Sequence, residues 1–296
     1  MCIRDRPEPV GTIYDIGYRH YDGPRLGRRG AIAAIVGAGL RAIFGLGRSG
    51  RSKIIPWGAL VLALLPAGVA VAVRVLVGDV IDLYSYSNYL WGIGALFPIF
   101  VAAQAPELVV NDMRHRVLPL YFSRPIGRLD YVAAKLAALS LALLALTLLP
   151  VLILFAGRVL AAEDFAAGLG DEIGALPGIL GSGVLHAVVL AALGLAICSL
   201  AARRAYGAGA VLAVFLIGGV MAGTFQEQGR GLADVAPLFN PLAILDGARQ
   251  WLFGGVVAES PVAAADLPLA TYGLATVVLF GVSLAILALR YRRVTT

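Results

Sequence analysis

Six long apolar runs, at residues 54–73, 89–103, 136–155, 179–202, 207–225 and 269–289, dominate this chain of 296 residues, and the stretches between them hold most of its charge. A helix needs about 20 residues to cross the hydrocarbon core of a bilayer. Five runs meet that length directly, and the second does so if it continues through Glu107 to Val110. Lipid offers no water to backbone groups, so crossing segments must be helices or a closed barrel, and none of these runs alternates with the period of two that a barrel strand requires. The fold expected is therefore an all-α integral membrane protein with six transmembrane helices. Hydrophobic residues make up 59% of the chain and charged ones 14%, too little polar surface for a water-soluble domain of this length.

Charge placement predicts the orientation, because Lys and Arg are retained on the cytoplasmic side. Of the 24 basic residues, 20 lie before the first run, between Arg114 and Lys135, at Arg203 and Arg204, or at Arg290, Arg292 and Arg293. The alternate segments hold only Arg74, Arg158, Arg230 and Arg249, with 11 acidic residues that include Asp79, Asp82, Glu163, Asp164, Asp171 and Glu172. Both termini are thus expected in the cytoplasm, which requires an even number of spans, in the inner (plasma) membrane of a cell. Basic residues that flank spans, 22 of the 24 being Arg, explain the net charge of +6 without nucleic acid as a partner. The bilayer is the partner they imply.

The first six residues, Met1-Cys2-Ile3-Arg4-Asp5-Arg6, read as the translation of a sequencing-library adaptor and are set aside as non-native. Cys2 and Cys198 form no disulfide framework, one being terminal and the other inside a span. Residues 1–53 read as a cytoplasmic N-terminal segment and 54–296 as the membrane domain. Within the former, Ile32, Ile35, Val36, Leu40, Ile43 and Phe44 recur at helical spacing between basic flanks, which predicts an amphipathic helix along the inner leaflet. Arg28-Arg29 ahead of 31–40 is no twin-arginine signal, since Arg41 interrupts the run and no cleavage site follows.

The connection between the second and third runs carries the densest local information. Glu107, Asn111 and Arg114 share one helical face, and Val110, Met113 and Val117 a neighbouring one, predicting an amphipathic helix over 107–120 that Pro119 and then Pro125 end. Asp130 is placed to cap the next helix. With Glu107 at the inner end of the second span, this helix, the turn Ser123-Arg124-Pro125-Ile126, and Arg128, Tyr131 and Lys135 entering the third span, the chain resembles the permease subunits of type-2 ABC exporters. The stretch Tyr14-Asp15-Ile16-Gly17-Tyr18-Arg19-His20-Tyr21-Asp22-Gly23-Pro24-Arg25 is similar to the start of a bacterial branch of that family.

The resemblance implies a permease that forms the translocation path while two copies of a separate ABC ATPase subunit bind ATP, with a second permease copy or related subunit completing the path. It makes Glu107, Asn111, Arg114, Arg116, Ser123, Arg124, Pro125 and Arg128 the expected ATPase-coupling residues. The chain has no GxxxxGK[ST] phosphate loop, and no catalytic, metal or cofactor residue is expected in it. Gly45-Leu46-Gly47-Arg48-Ser49-Gly50 matches GxGxxG, but no strand precedes it.

Between the last two runs, 226–268 is too long for a turn. Leu238, Leu242, Leu245 and Leu252 recur after Asn240-Pro241, with Asp246 and Arg249 expected on the opposite face and Trp251 at the headgroup level; the family likeness implies short re-entrant helices here. Enzyme readings fail on motifs. His20, His115 and His186 form no HExxH, Gly181-Ser182-Gly183 lacks a full nucleophile pattern, and Asp246-Gly247-Ala248-Arg249 lacks the spacing of a phospholipid synthase. His186, ionisable and mid-span, reads as a neutral side chain bonded to a neighbouring helix. The rival expectation is an ion-coupled secondary transporter or channel, which generally needs carboxylates at membrane depth; the central parts of the six runs contain none.

Overall fold

The structure, a computed structural model, describes residues 23, 27–78, 83–115, 117–123, 126–228, 232–255, 257 and 260–292. The 14–25 stretch except Gly23 lies outside the described residues, as do Cys2, Asp79, Asp82, Arg116, Arg124, Pro125, Arg230 and Arg293. Among the described residues all regular structure is helical: α1 (Gly27–Ile43), α2 (Arg51–Val77), α3 (Tyr86–Gly92), α4 (Leu96–Arg114), α5 (Leu118–Phe122), α6 (Arg128–Ala161), α7 (Phe165–Glu172), α8 (Leu176–Leu200), α9 (Arg204–Glu227), α10 (Pro241–Phe253) and α11 (Leu269–Arg292), with single 3-10 turns at Ile173–Ala175 and Ala236–Phe239. Five helical segments are long and apolar enough to cross a membrane. A sixth crossing exists if α3 and α4, bent 61° at their junction, form one span.

That bend departs from the continuous second helix the sequence predicts. The break falls on Ile93–Ala95, directly after Gly92 and across Gly94, where the two glycines weaken helix continuation. A turn fills the gap, with the Leu96 and Phe97 amides donating to the Ile93 and Gly94 carbonyls as α4 begins.

The bundle is organised around α8, which packs against α4, α6, α9 and α11. Lipid tails are as apolar as leucine, so helix association in a membrane rests on close packing rather than on expelling water. Gly194 of α8 shows the means: a Cβ there would come within 2.2 Å of the Val101 side chain on α4. Outside this centre, α2, α9 and α11 turn Val61, Leu62, Leu65, Leu216, Ile217, Val220, Val277 and Val278 outward. A water-soluble bundle would present polar residues on those faces.

The N-terminal helix is more deeply engaged than one lying along a leaflet. Ile35, Gly39 and Ile43 of α1 are buried at four-residue spacing, and Ile35 packs with Ile126 and Ala134. Gly39, a poor helix former, is present because α6 approaches there: a Cβ would meet that of Ala138 at 2.8 Å. The GxGxxG stretch is explained by its turn, since Gly45 and Gly47, with φ of 63° and 80°, reverse the chain between α1 and α2.

The 226–268 segment does contain the expected helix after Asn240, whose side-chain oxygen accepts from the Leu242 amide, but its charged face is enclosed along with part of the leucine line. Asp246, Arg249 and Gln250 point inward and are buried, while Trp251 and Leu252 are exposed. Of the predicted leucine line, Leu245 is fully buried and Leu242 packs partly buried against the core, while Leu252 is exposed. The enclosed charges satisfy one another inside the bundle.

Candidate coupling site at the basic end of the bundle

The last two turns of α4 reach the end of the bundle where α1, α5 and the starts of α6 and α9 converge. Glu107, only 5% exposed, is gripped by two arginines: Arg48 from the α1–α2 turn and Arg204 from the first turn of α9. Five residues further along, the Asp112 carboxylate accepts from Lys135 Nζ at 2.7 Å and from the Tyr131 hydroxyl at 2.7 Å. Lys135 and Asp112 are both less than one-fifth exposed, so this is the least screened pair at this end. The Tyr131 ring is walled in by Tyr121, Phe122 and Tyr291, which ties α5 and the end of α11 to the same point.

Two further contacts close the ring. Arg28 donates to both Asp130 oxygens, at 2.8 and 2.6 Å, which holds the guanidinium more firmly in its charged form. Arg128 donates to the Arg292 carbonyl at 2.8 Å, bringing the end of α11 beside the start of α6. Asp130 does support the start of α6, but from its third position: Gly127 is the cap residue, and its amide donates to Asp130 at 2.9 Å.

The helix predicted over 107–120 is not a separate element. Residues 107–114 continue α4, and the helix stops at Arg114, before either proline. Pro119 opens α5 rather than ending a helix, because a first-turn proline has no amide bond to lose. Along α4 the predicted face grades outward, with Glu107 buried, Asn111 half-buried and Arg114 exposed. Ser123 closes α5, its hydroxyl donating to the Leu120 carbonyl at 2.9 Å, and Arg128 lies at the α11 contact. Arg116, Arg124 and Pro125 fall outside the described residues.

Arg48, Asp112 and Arg204 were missed as site residues. A signal was present, since Glu107 and Asp112 are the only carboxylates between Leu83 and Leu129, and an isolated acid in a basic stretch is a counter-ion in search of partners. Which arginines answer could not be read from one dimension. On its outer side α5 leaves Leu120 70% exposed, beside a cleft of about 440 Å³ between α1 and α5 that is lined by Ile35, Asp112, Val117, Leu120, Tyr121 and Ile126.

The other end holds a second polar cluster. Asp246 accepts from Arg249 and from the Ser260 hydroxyl, and from Gln250 Nε2 at 2.8 Å. Arg249 is fully buried, and His186 lies within electrostatic reach of both Arg249 and Asp246. His186 Nδ1 bonds within its own helix, 2.8 Å from the Ser182 carbonyl, rather than to a neighbouring helix as the sequence suggested. Near the α6 terminus Arg158 donates to the Tyr84 carbonyl at 2.8 Å and stacks on Tyr86, whose hydroxyl donates to Glu172 at 2.8 Å. Among the described residues no group of three or more His, Cys, Asp or Glu is arranged to hold a metal ion. No family model and no curated protein matches the chain.

Proposed function

We propose that the chain is the membrane-spanning permease subunit of an ATP-driven exporter of the type-2 ABC class, with the basic end cytoplasmic and coupled to separate ATPase subunits. The observation that carries this reading is the bracing of α5. The helix offers an exposed Leu120 beside a cleft, yet the chain on either side of it is tied by charge and aromatic contacts to α1, α4, α6 and α11. A partner that pushes on α5 moves the ends of several spanning helices together, which is what coupling to an external motor requires. A second copy or related subunit would complete the path, since the exposed faces of α2, α9 and α11 are apolar along their middle turns.

The test is co-purification with an ABC ATPase subunit co-expressed with this chain. Leu120→Asp and Arg124→Glu are expected to reduce ATPase recovery at least several-fold while the permease still inserts in the membrane; undiminished recovery for both removes α5 as the docking element. The buried Asp246–Arg249 pair beside His186 favours a second reading, an ion-coupled carrier, by placing a carboxylate inside the bundle. Uphill transport by the chain alone in proteoliposomes under a proton gradient, abolished by Asp246→Asn, would establish that reading instead.

A further inference from the structure

The structure assigns a binding site for an anionic phospholipid to the outer side of the Glu107 clamp. A cavity of about 140 Å³ opens there, lined by Arg48, Arg51, Arg204, Ser52, Gln104 and Glu107. Three guanidinium groups face one carboxylate, so the cavity keeps a surplus of positive charge. Arg48 and Arg204 each reach Glu107 through a single nitrogen and remain about half exposed, and Arg51 stands outside the clamp. An arginine fork with donors left over is well matched to phosphate oxygens.

The charge alone would suit any phosphate; the apolar surface that continues from it selects a lipid. Arg51, Ile55, Gly58 and Leu62 follow one another at intervals of four, three and four residues, so they form a single line down α2. Arg51 and Ile55 line the cavity, while Gly58 and Leu62, with Trp57 and Val61, line an open apolar groove further along the helix. A Cβ built on Gly58 would meet nothing within 4 Å, which leaves room for an acyl chain against the backbone. From Arg51 to Leu62 the helix rises about 16 Å, roughly half of a ~30 Å hydrocarbon core and so the depth of one leaflet. The Trp57 ring, whose Nε1–H donates to the Phe44 carbonyl at 3.3 Å, flanks the junction where an indole favours the interface. Headgroup cavity and chain groove therefore stand in the order and at the spacing that a phospholipid presents, with the phosphate at the basic end of the bundle.

Native mass spectrometry of the full chain in detergent, with phosphatidylglycerol, phosphatidylcholine and inorganic phosphate as probes, tests the assignment. Phosphatidylglycerol is expected to be retained in preference to phosphatidylcholine. Arg51→Gln, an exposed substitution, should lower phosphatidylglycerol retention roughly fivefold and leave phosphatidylcholine unchanged. Gly58→Trp should lower it as well by filling the groove. Equal retention of the two lipids, or an Arg51→Gln chain that holds phosphatidylglycerol as tightly as the parent, overturns the proposal. Displacement of phosphatidylglycerol by equimolar inorganic phosphate would reassign the cavity to a soluble anion. A lipid-free dimer that Gly58→Trp dissociates would show that a second copy of the chain covers the groove.

Discussion

Asp246→Ala is expected to destabilise the folded chain by roughly 3–5 kcal/mol, the range for removing one partner of a buried ion pair. Arg249 is fully enclosed and its side chain is folded onto Asp246, so loss of the carboxylate strands a full positive charge with no route to water. Nε and Nη1 of Arg249 already lack a hydrogen-bond partner, which leaves Asp246 as the main compensation for that charge. Gln250 and Ser260 lose their shared acceptor in the same substitution. The cost should appear as a lower thermal midpoint in detergent and as fraying of α10 from α11. Replacing both members, Asp246→Ala with Arg249→Met, should recover most of the loss, because an apolar pair of similar volume needs no compensation. An unchanged midpoint for Asp246→Ala would show that the pair does not secure α10.

At the opposite end, Glu107→Lys is expected to open the clamp. It sets a third positive charge between Arg48 and Arg204 in a site where the replaced side chain is nearly enclosed. Both arginines are about half exposed and can swing into solvent, so the loss of stability should be smaller than at Asp246, roughly 2 kcal/mol. The functional loss should be greater than that figure suggests, because the turn carrying Arg48 and the start of α9 both separate from α4. Limited trypsin digestion provides the measurement: cleavage after Arg48 and Arg204 should accelerate several-fold relative to the parent. Digestion at the parental rate would mean that Glu107 does not hold those segments. Partial exposure also makes the parent clamp sensitive to ionic strength, so high salt should reproduce part of the effect.

The helical class and the approximate limits of the apolar segments were readable from the sequence, because length and hydropathy are properties of a chain in one dimension. The kink after Gly92 was readable only in part. Gly92 and Gly94 were in view, but a run of apolar residues masks a break that changes direction without changing composition. The residues at the basic end divide for a similar reason. Helical spacing placed Glu107, Asn111 and Arg114 on one face of one element, whereas Arg48 and Arg204 meet Glu107 only because the α1–α2 turn, α4 and α9 assemble side by side. Proline was misplaced as a terminator at Pro119, since the same residue that ends one helix is well tolerated in the first turn of the next. The enclosure of Asp246 and Arg249 in α10 was not readable, because amphipathic reading sets charges on an open face and cannot see the segment that covers them.

Helix α6 reaches polar contacts at both of its ends. Its 34 residues run unbroken from the Asp130 and Lys135 contacts, past Pro150, to Arg158 and its hold on Tyr84. At 1.5 Å per residue the stretch from Asp130 to Pro150 is about 30 Å and that from Pro150 to Arg158 about 12 Å. Proline removes one rung of the backbone ladder and makes that point the natural fulcrum. A pivot of about 10° there would carry the long arm through about 5 Å and the short arm through about 2 Å in the opposite sense. A pivot at Pro150 would therefore trade distance for force, turning a broad stroke at one end of α6 into a small, firm displacement at the other.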